Sequence, residues 1–131
     1  MSSSVAYNLT LEATQFSPSV NANWQMGHMQ MHGESYPENT FEFFAQVISW
    51  TESYLANSGS PLLVELQLSY LNTSSIRAMI EIFDLLQDAS EQGKNIRVNW
   101  FYDSRNPRAS ELGEEFKEDY TFPFYILSTD A

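Results

Sequence analysis

The feature that most constrains the fold is a change of periodicity near residue 72. From Leu62 to Tyr70 the apolar residues alternate, with Leu62, Val64, Leu66, Leu68 and Tyr70 on one face. That is the period of a strand. From Ser74 to Ala89 the period becomes helical, carried by Ile76, Met79, Ile80, Phe83 and Leu86. Between them lies a short polar turn, Asn72-Thr73-Ser74-Ser75, with three consecutive hydroxyls. A helix start carries unpaired backbone N–H groups and a partial positive charge, so it suits an anion. A hydroxyl there can cap the helix, or it can be where a phosphate is added and read. One cap needs one such residue, and this turn offers four in a row.

The rest of the chain alternates in the same way. Leu9 to Phe16 reads as a half-buried strand, ended by Ser17-Pro18, with a short strand possible over Val20 to Trp24. Trp24 to His32 alternates again and forms an N-terminal hairpin with what precedes it. Ser35 and Glu38 have capping-box spacing and Pro37 suits a first turn, so a first helix is expected from there to Asn57-Ser58-Gly59. Its apolar stripes are Phe41, Phe44, Ile48 and Leu55, beside Phe43, Val47, Trp50 and Tyr54. Pro61 to Leu71 is the central strand. Asn95 to Tyr102 is another, and Asp103 to Pro107 is a turn. Ala109 to Glu118 is an acidic third helix resting on Leu112 and Phe116. Phe122 to Leu127 closes the sheet, with Pro123 marking an edge. The expected order is β-β-α-β-α-β-α-β.

This predicts one α/β domain over residues 9–131, a mixed sheet of five or six strands packed with three helices. Residues 1–8 are expected to be a disordered tail, since they lack the basic and apolar regions of a signal peptide. The central strand should run parallel to Asn95–Tyr102. Thr73 then sits at the carboxyl edge of the sheet, where open α/β sheets commonly place their sites.

Composition narrows the chemistry. The 131 residues carry 17 acidic and 6 basic side chains, a formal charge of -11. That disfavours nucleic acid and anionic membranes, and favours a partner with a basic face. There is no cysteine, hence no disulfide, thiolate metal site or cysteine nucleophile, which suits a reducing cytoplasm. No apolar run approaches the ~20 residues of a membrane span. His28 and His32 would share a strand face about 13 Å apart, too far for one ion, so they read as polar surface residues. The acidic run from Glu111 to Asp119 lacks calcium-loop spacing and reads as a solvated helix face. No nucleophile elbow, P-loop or dinucleotide glycine pattern is present. Catalytic residues, metal ligands and cofactors are therefore not expected.

Three segments together resemble the SiaC family of bacterial regulatory phosphoproteins. They are Gly33-Glu34-Ser35-Tyr36-Pro37-Glu38-Asn39, Tyr70-Leu71-Asn72-Thr73-Ser74-Ser75-Ile76-Arg77-Ala78-Met79 and Val98-Asn99-Trp100-Phe101-Tyr102-Asp103. The likeness runs from about Leu9 to Leu127. It implies a non-enzymatic cytoplasmic switch with a fold like the STAS-type anti-sigma factor antagonists. It implies that Thr73 is the phosphorylated residue, and that the unphosphorylated form binds and activates a diguanylate cyclase, SiaD. Cyclic di-GMP would then rise, with aggregation and biofilm formation. A GHKL-type Ser/Thr kinase, SiaB, would add the phosphate and a PPM-type phosphatase, SiaA, would remove it. Asn72, Ser74, Ser75 and Arg77 are expected to shape the switch turn, with Tyr36 and Tyr70 as partner anchors. The turn from Asp103 to Arg108 departs from the family in carrying two arginines where many relatives are acidic.

Other outputs fit the same residues. A STAS-type antagonist would use the switch in a partner-switching cascade and bind an anti-sigma kinase instead. A small acid–base enzyme has only the carboxylate count behind it. A constitutive scaffold would use Thr73 merely as a cap, and Thr73→Ala would then cost about 1 kcal/mol.

Overall fold

The structure is a computed structural model that describes residues 6–130. Six strands and three helices follow the order β1 (Leu9–Leu11), β2 (Ser19–Asn23), β3 (His28–Ser35), α1 (Thr40–Asn57), β4 (Leu62–Leu71), α2 (Thr73–Glu91), β5 (Ile96–Tyr102), α3 (Pro107–Glu118) and β6 (Phe124–Ser128). The strands lie in one sheet in their chain order, with β1 and β6 at the edges. The pairs β1–β2 and β2–β3 are antiparallel, whereas β3–β4, β4–β5 and β5–β6 are parallel. The expected mixed sheet, the parallel β4–β5 pair and the edge position of the Pro123 strand are all present.

Each parallel pair is joined by a helix, and each crossover advances one strand in the same direction. Right-handed crossovers of that kind put all three helices on one face. The burial pattern agrees. Val64 and Leu66 of β4 and Val98 and Trp100 of β5 are buried under Val47 and Trp50 of α1, Met79 and Phe83 of α2, and Phe116 of α3 in one core. The alternate residues Glu65, Gln67 and Arg97 face away from the helices and stay partly or fully exposed. At Gly113 of α3, a Cβ would come within 2.5 Å of the Trp100 ring, so that helix lies directly on the indole.

Four local expectations change. Strand β1 ends at Leu11 rather than Phe16. The Thr14 hydroxyl accepts the backbone N–H groups of Phe16 and Ser17, which turns the chain out of the ladder. The run from Trp24 to His32 is not one strand. Asn23 Oδ1 accepts from the Met26 N–H, and Gly27 has φ of 62°, so residues 23–27 form the turn and β3 starts at His28. The hairpin therefore consists of β2 and β3, and three strands precede α1. The Ser35–Glu38 capping box does not form. Ser35 instead ends β3, paired with Leu71, and Asn39 caps α1 by accepting from the Glu42 N–H. Phe41, expected in an apolar stripe, is 81% exposed.

The expected tail over residues 1–8 lies outside the described residues for 1–5. Tyr7 and Asn8 are tied to the body. The Trp50 indole donates to the Tyr7 carbonyl at 2.7 Å, and the Trp24 N–H donates to Asn8 Oδ1 at 2.8 Å.

Candidate functional site at the carboxyl edge of the sheet

Strand β4 ends at Leu71, and α2 begins two residues later. Asn72 makes the junction. Its backbone is extended, its side-chain oxygen accepts from the Ser75 N–H at 2.9 Å, and its own N–H donates to the Ser35 carbonyl at 3.0 Å. It is therefore the N-cap, a role for which an asparagine is among the best residues.

Ser75 is fully buried. Its hydroxyl donates to the Ser35 carbonyl at 3.1 Å and lies 2.8 Å from the Ser35 hydroxyl. This residue pins α2 to the end of β3 and presents nothing to solvent. Ser35 was missed as its partner, because its position before Pro37 resembled a helix start.

Thr73 and Ser74 remain. Both are exposed, and neither hydroxyl has a hydrogen bond among the described residues. Thr73 is the first helical residue, so its side chain has no capping duty. Arg77, also exposed, stands one turn along the same side of the helix, where side chains four apart meet. Among the described residues it has no ion pair or hydrogen bond. The other nearby arginines are engaged. Arg105 makes paired contacts with Asp103, the shorter at 2.6 Å, and Arg108 reaches Glu111 at 3.4 Å. Hydrogen bonds from Arg105, from its side chain first and then its backbone, hold the Asp103 carboxyl down to about 2.

Tyr70, expected on the core face of β4, is turned outward, because the register shift opposite Gly33/Glu34 exchanges the faces after Leu68 and buries Leu71 instead. Tyr36 and Tyr70 lie together. Their rings meet edge-on at 5.8 Å, and Tyr36 meets Phe16 at 5.5 Å. Tyr70 is 52% exposed and Phe16 49%. Phe16 had no sequence signal, since it ends what looked like a strand. It reaches the cluster because the Tyr36 N–H donates to its carbonyl at 2.8 Å.

The histidines are not both free surface residues. His28 Nε2 lies 2.8 Å from Glu65 Oε1, and Asn99 donates to Glu65 Oε2 at 3.1 Å. Burial pushes the Glu65 carboxyl up, but the hydrogen bonds from Asn99 and His28, with the charges of His28 and Arg97, bring it below its ordinary value. No group of three or more His, Asp or Glu side chains able to hold a metal occurs among the described residues. No helix there is long and apolar enough to cross a membrane.

With this geometry in place, the chain can be set beside known proteins. The family model of the SiaC family regulatory phosphoprotein matches residues 11–129. A protein of Pseudomonas aeruginosa strain UCBPP-PA14 is 49% identical over 123 residues, covering 94% of this chain and 98% of that one. The solved structure of SiaC of Pseudomonas aeruginosa matches with a TM-score of 0.88 at 47% identity, over 93% of this chain and 98% of that one. A further match is the crystal structure of the diguanylate cyclase SiaD in complex with its activator SiaC, from the same organism. Its TM-score is 0.89 at 49% identity, over 92% of this chain and 98% of that one.

Proposed function

This chain belongs to the SiaC family, and on that premise we propose that it is a phosphorylation-controlled switch that activates a diguanylate cyclase. The unphosphorylated form binds the cyclase and raises cyclic di-GMP, which promotes aggregation and biofilm formation. Phosphorylation of Thr73 ends the binding. The chain acts by association in the cytoplasm and carries out no turnover of its own. A GHKL-type kinase adds the phosphate and a PPM-type phosphatase removes it.

The observation that carries this reading is the division of labour in the turn. Asn72 caps α2 and Ser75 locks it, which leaves the Thr73 hydroxyl exposed and unbonded at a helix N-terminus. The partial positive charge there tolerates a phosphate, so the fold survives the modification. The surface does not survive it unchanged. A partner packed over Thr73 would have to desolvate a dianion, at a cost of several kcal/mol. The similarity to a protein solved as the activator of a diguanylate cyclase supports the output. The exposed Tyr70 ring, supported by Tyr36, is an anchor beside the turn.

The test is phosphosite mass spectrometry on protein from its own cells, with and without the kinase gene, followed by cyclase assays. A kinase-dependent phosphate on Thr73, and cyclase stimulation by Thr73→Ala but much less by Thr73→Asp, is the expected result. Equal stimulation by the two variants would remove phosphate blockade. Capture of an anti-sigma kinase in place of a cyclase would turn the output to the partner-switching alternative.

A further inference from the structure

We propose that the helix-free face of the sheet carries a second binding site, a trough over β2, β3 and β4 that takes an uncharged, polyhydroxylated ligand, a pyranose sugar. This site lies on the side of the sheet away from all three helices and does not rest on the reading of the chain as a cyclase activator.

The strand register sets side chains in rows across that face. Asn21 lies opposite Gln30, and Gln30 opposite Glu65. In the next row Ser19 lies opposite His32, and His32 opposite Gln67. Neighbouring strands are about 4.8 Å apart, so the polar ends of these side chains stand at spacings that one or two sugar rings span. They line a trough of about 580 Å³. Phe101 of β5, half-buried, closes one side of it, and Thr10 and Leu11 of β1 close the other.

The wall beside the trough is already built. His28 and Asn99 hold the two oxygens of Glu65. Asn99 Oδ1 accepts from Arg97 Nε at 3.1 Å, and the Arg97 guanidinium lies 4.4 Å over the Tyr125 ring. Asn99 is thereby buried on a face that no helix covers. Inside the trough the polar groups are unspent. Among the described residues, the side chains of Asn21, Gln30, His32 and Gln67 make no hydrogen bond.

The chemistry of the lining selects the ligand. Each amide offers a donor and an acceptor, and a neutral imidazole does the same. A hydroxyl also donates and accepts, so a polyol matches every one of these groups. An anion does not, because no lysine or arginine lines the trough among the described residues, whereas Glu12 and Glu65 do. A cation finds only Glu12, since His28 and Asn99 already satisfy Glu65. A purely apolar ligand would strip water from the amides and return no hydrogen bond. Phe101 narrows the class further. A sugar ring has an apolar C–H face to lay on an aromatic ring as well as an edge of hydroxyls, which a small open-chain polyol lacks. A few polar groups that fix orientation beside an apolar contact are the usual make-up of a small-molecule site.

The full-length chain is titrated with the methyl glycosides of glucose, mannose, galactose and N-acetylglucosamine and followed by two-dimensional amide NMR, with glycerol and adenosine as comparison ligands. At least one glycoside should shift the resonances around Gln30, His32 and Gln67 saturably and raise the melting temperature with its concentration, and glycerol should do neither. Gln30→Ala and Gln67→Ala should each weaken binding about tenfold, the loss of one good hydrogen bond. The melting temperature of the unliganded variants should not change, because neither side chain has a bond in the fold. Phe101→Leu should weaken binding severalfold, and the two glutamine variants keep the test decisive if it fails to fold. Thr73→Asp should bind the sugar as the unsubstituted chain does, which separates this site from the switch turn. The absence of a saturable shift with every glycoside overturns the proposal, as does a shift that survives in both glutamine variants. Adenosine bound more tightly than every glycoside would replace the sugar by a nucleoside, and would also overturn it.

Discussion

The two ends of the sheet treat their polar residues differently. At the amino end, the turns use theirs to close the fold. The Tyr54 hydroxyl donates to the Pro61 carbonyl at 2.7 Å, the Lys94 ammonium donates to the Ser58 carbonyl, and Leu62 and Leu63 donate to Asn95 and Gly27 at 3.0 and 2.8 Å. At the β4–α2 junction on the carboxyl end, closure takes Asn72, Ser35 and Ser75, with Asn106 donating to the Ser69 carbonyl at 2.9 Å. Thr73, Ser74 and Arg77 are left over, and Tyr70 and Phe41 are exposed above them. A domain that needed only to be stable could have ended its β4–α2 turn with one asparagine. The proposed partner surface rests on these exposed, unbonded groups at the start of α2, set against the polar groups that the amino-end turns use for closure.

The comparison breaks first at Thr73, where the largest effect is expected. Stoichiometric phosphorylation should lower cyclase affinity about a thousandfold, equivalent to about 4 kcal/mol. Titration calorimetry with the phosphorylated and unphosphorylated chain measures it. The melting temperature should barely move, since the phosphate adds to a helix N-terminus without displacing a bond. A large loss of stability would mean that Thr73 belongs to the closure after all.

Gly27 is the counterpart at the amino end. Its φ of 62° disfavours a side chain, and a Cβ would come within 2.3 Å of the Pro61 carbonyl oxygen and 2.5 Å of the Tyr54 hydroxyl. Gly27→Val should cost about 3 kcal/mol in urea unfolding. The folded fraction should still bind the cyclase with its original affinity, because the damage lies at the far end of the sheet. Reduced affinity per folded molecule would mean that the two ends are coupled.

How much of this was legible beforehand follows from what each residue answers to. Strand β4 as far as Leu68, helix α2 and the turn between them were readable because their apolar period is set by one face packing on one core; the exchange of faces at Tyr70 and Leu71 was not, because the register shift behind it depends on pairing with β3. The order of the parallel strands followed, since a crossover helix leaves few alternatives. The N-terminal hairpin was misplaced because its limits depend on side-chain hydrogen bonds from Thr14 and Asn23 and on the positive φ of Gly27. None of these leaves a hydrophobic period. Ser35 illustrates the same limit at the site. Its spacing to Glu38 fits a cap, but pairing with Leu71 and Ser75, which are far away in the chain, puts it in a strand. Thr73 could be singled out from the motif, whereas its freedom from capping could not. Only the structure separates it from Asn72 and Ser75.

That separation can be sharpened within one turn of helix. Ser75→Ala leaves the buried Ser35 hydroxyl without its partner and should cost about 1–2 kcal/mol. Asn72→Ala should cost about 1 kcal/mol through the lost cap. Thr73→Ala should stay within about 0.5 kcal/mol, as an exposed residue with no structural bond. Chemical denaturation of the three variants ranks them. A Thr73→Ala loss as large as that of Asn72→Ala would restore the threonine to a capping role.

A small, pH-dependent effect is expected between the two ends, at Glu65 on the helix-free face. Its carboxylate is held by His28 and Asn99 and lies below its ordinary value of 4.5. A carboxyl whose folded value is lowered stabilises the fold above its unfolded value. That contribution is lost as the pH falls through the folded value. Glu65→Gln removes the titration, and for a partly exposed pair the loss at pH 7 should be under about 1 kcal/mol. The gap between the unsubstituted chain and the variant should therefore be widest at neutral pH and should shrink as the pH drops below 4.5. Urea unfolding at a series of pH values follows it. Cyclase affinity at pH 7 should be the same for both, because Glu65 belongs neither to the closed amino end nor to the open carboxyl end. A loss of affinity in Glu65→Gln would extend the partner surface onto the helix-free face, and the contrast between the two ends would no longer account for binding.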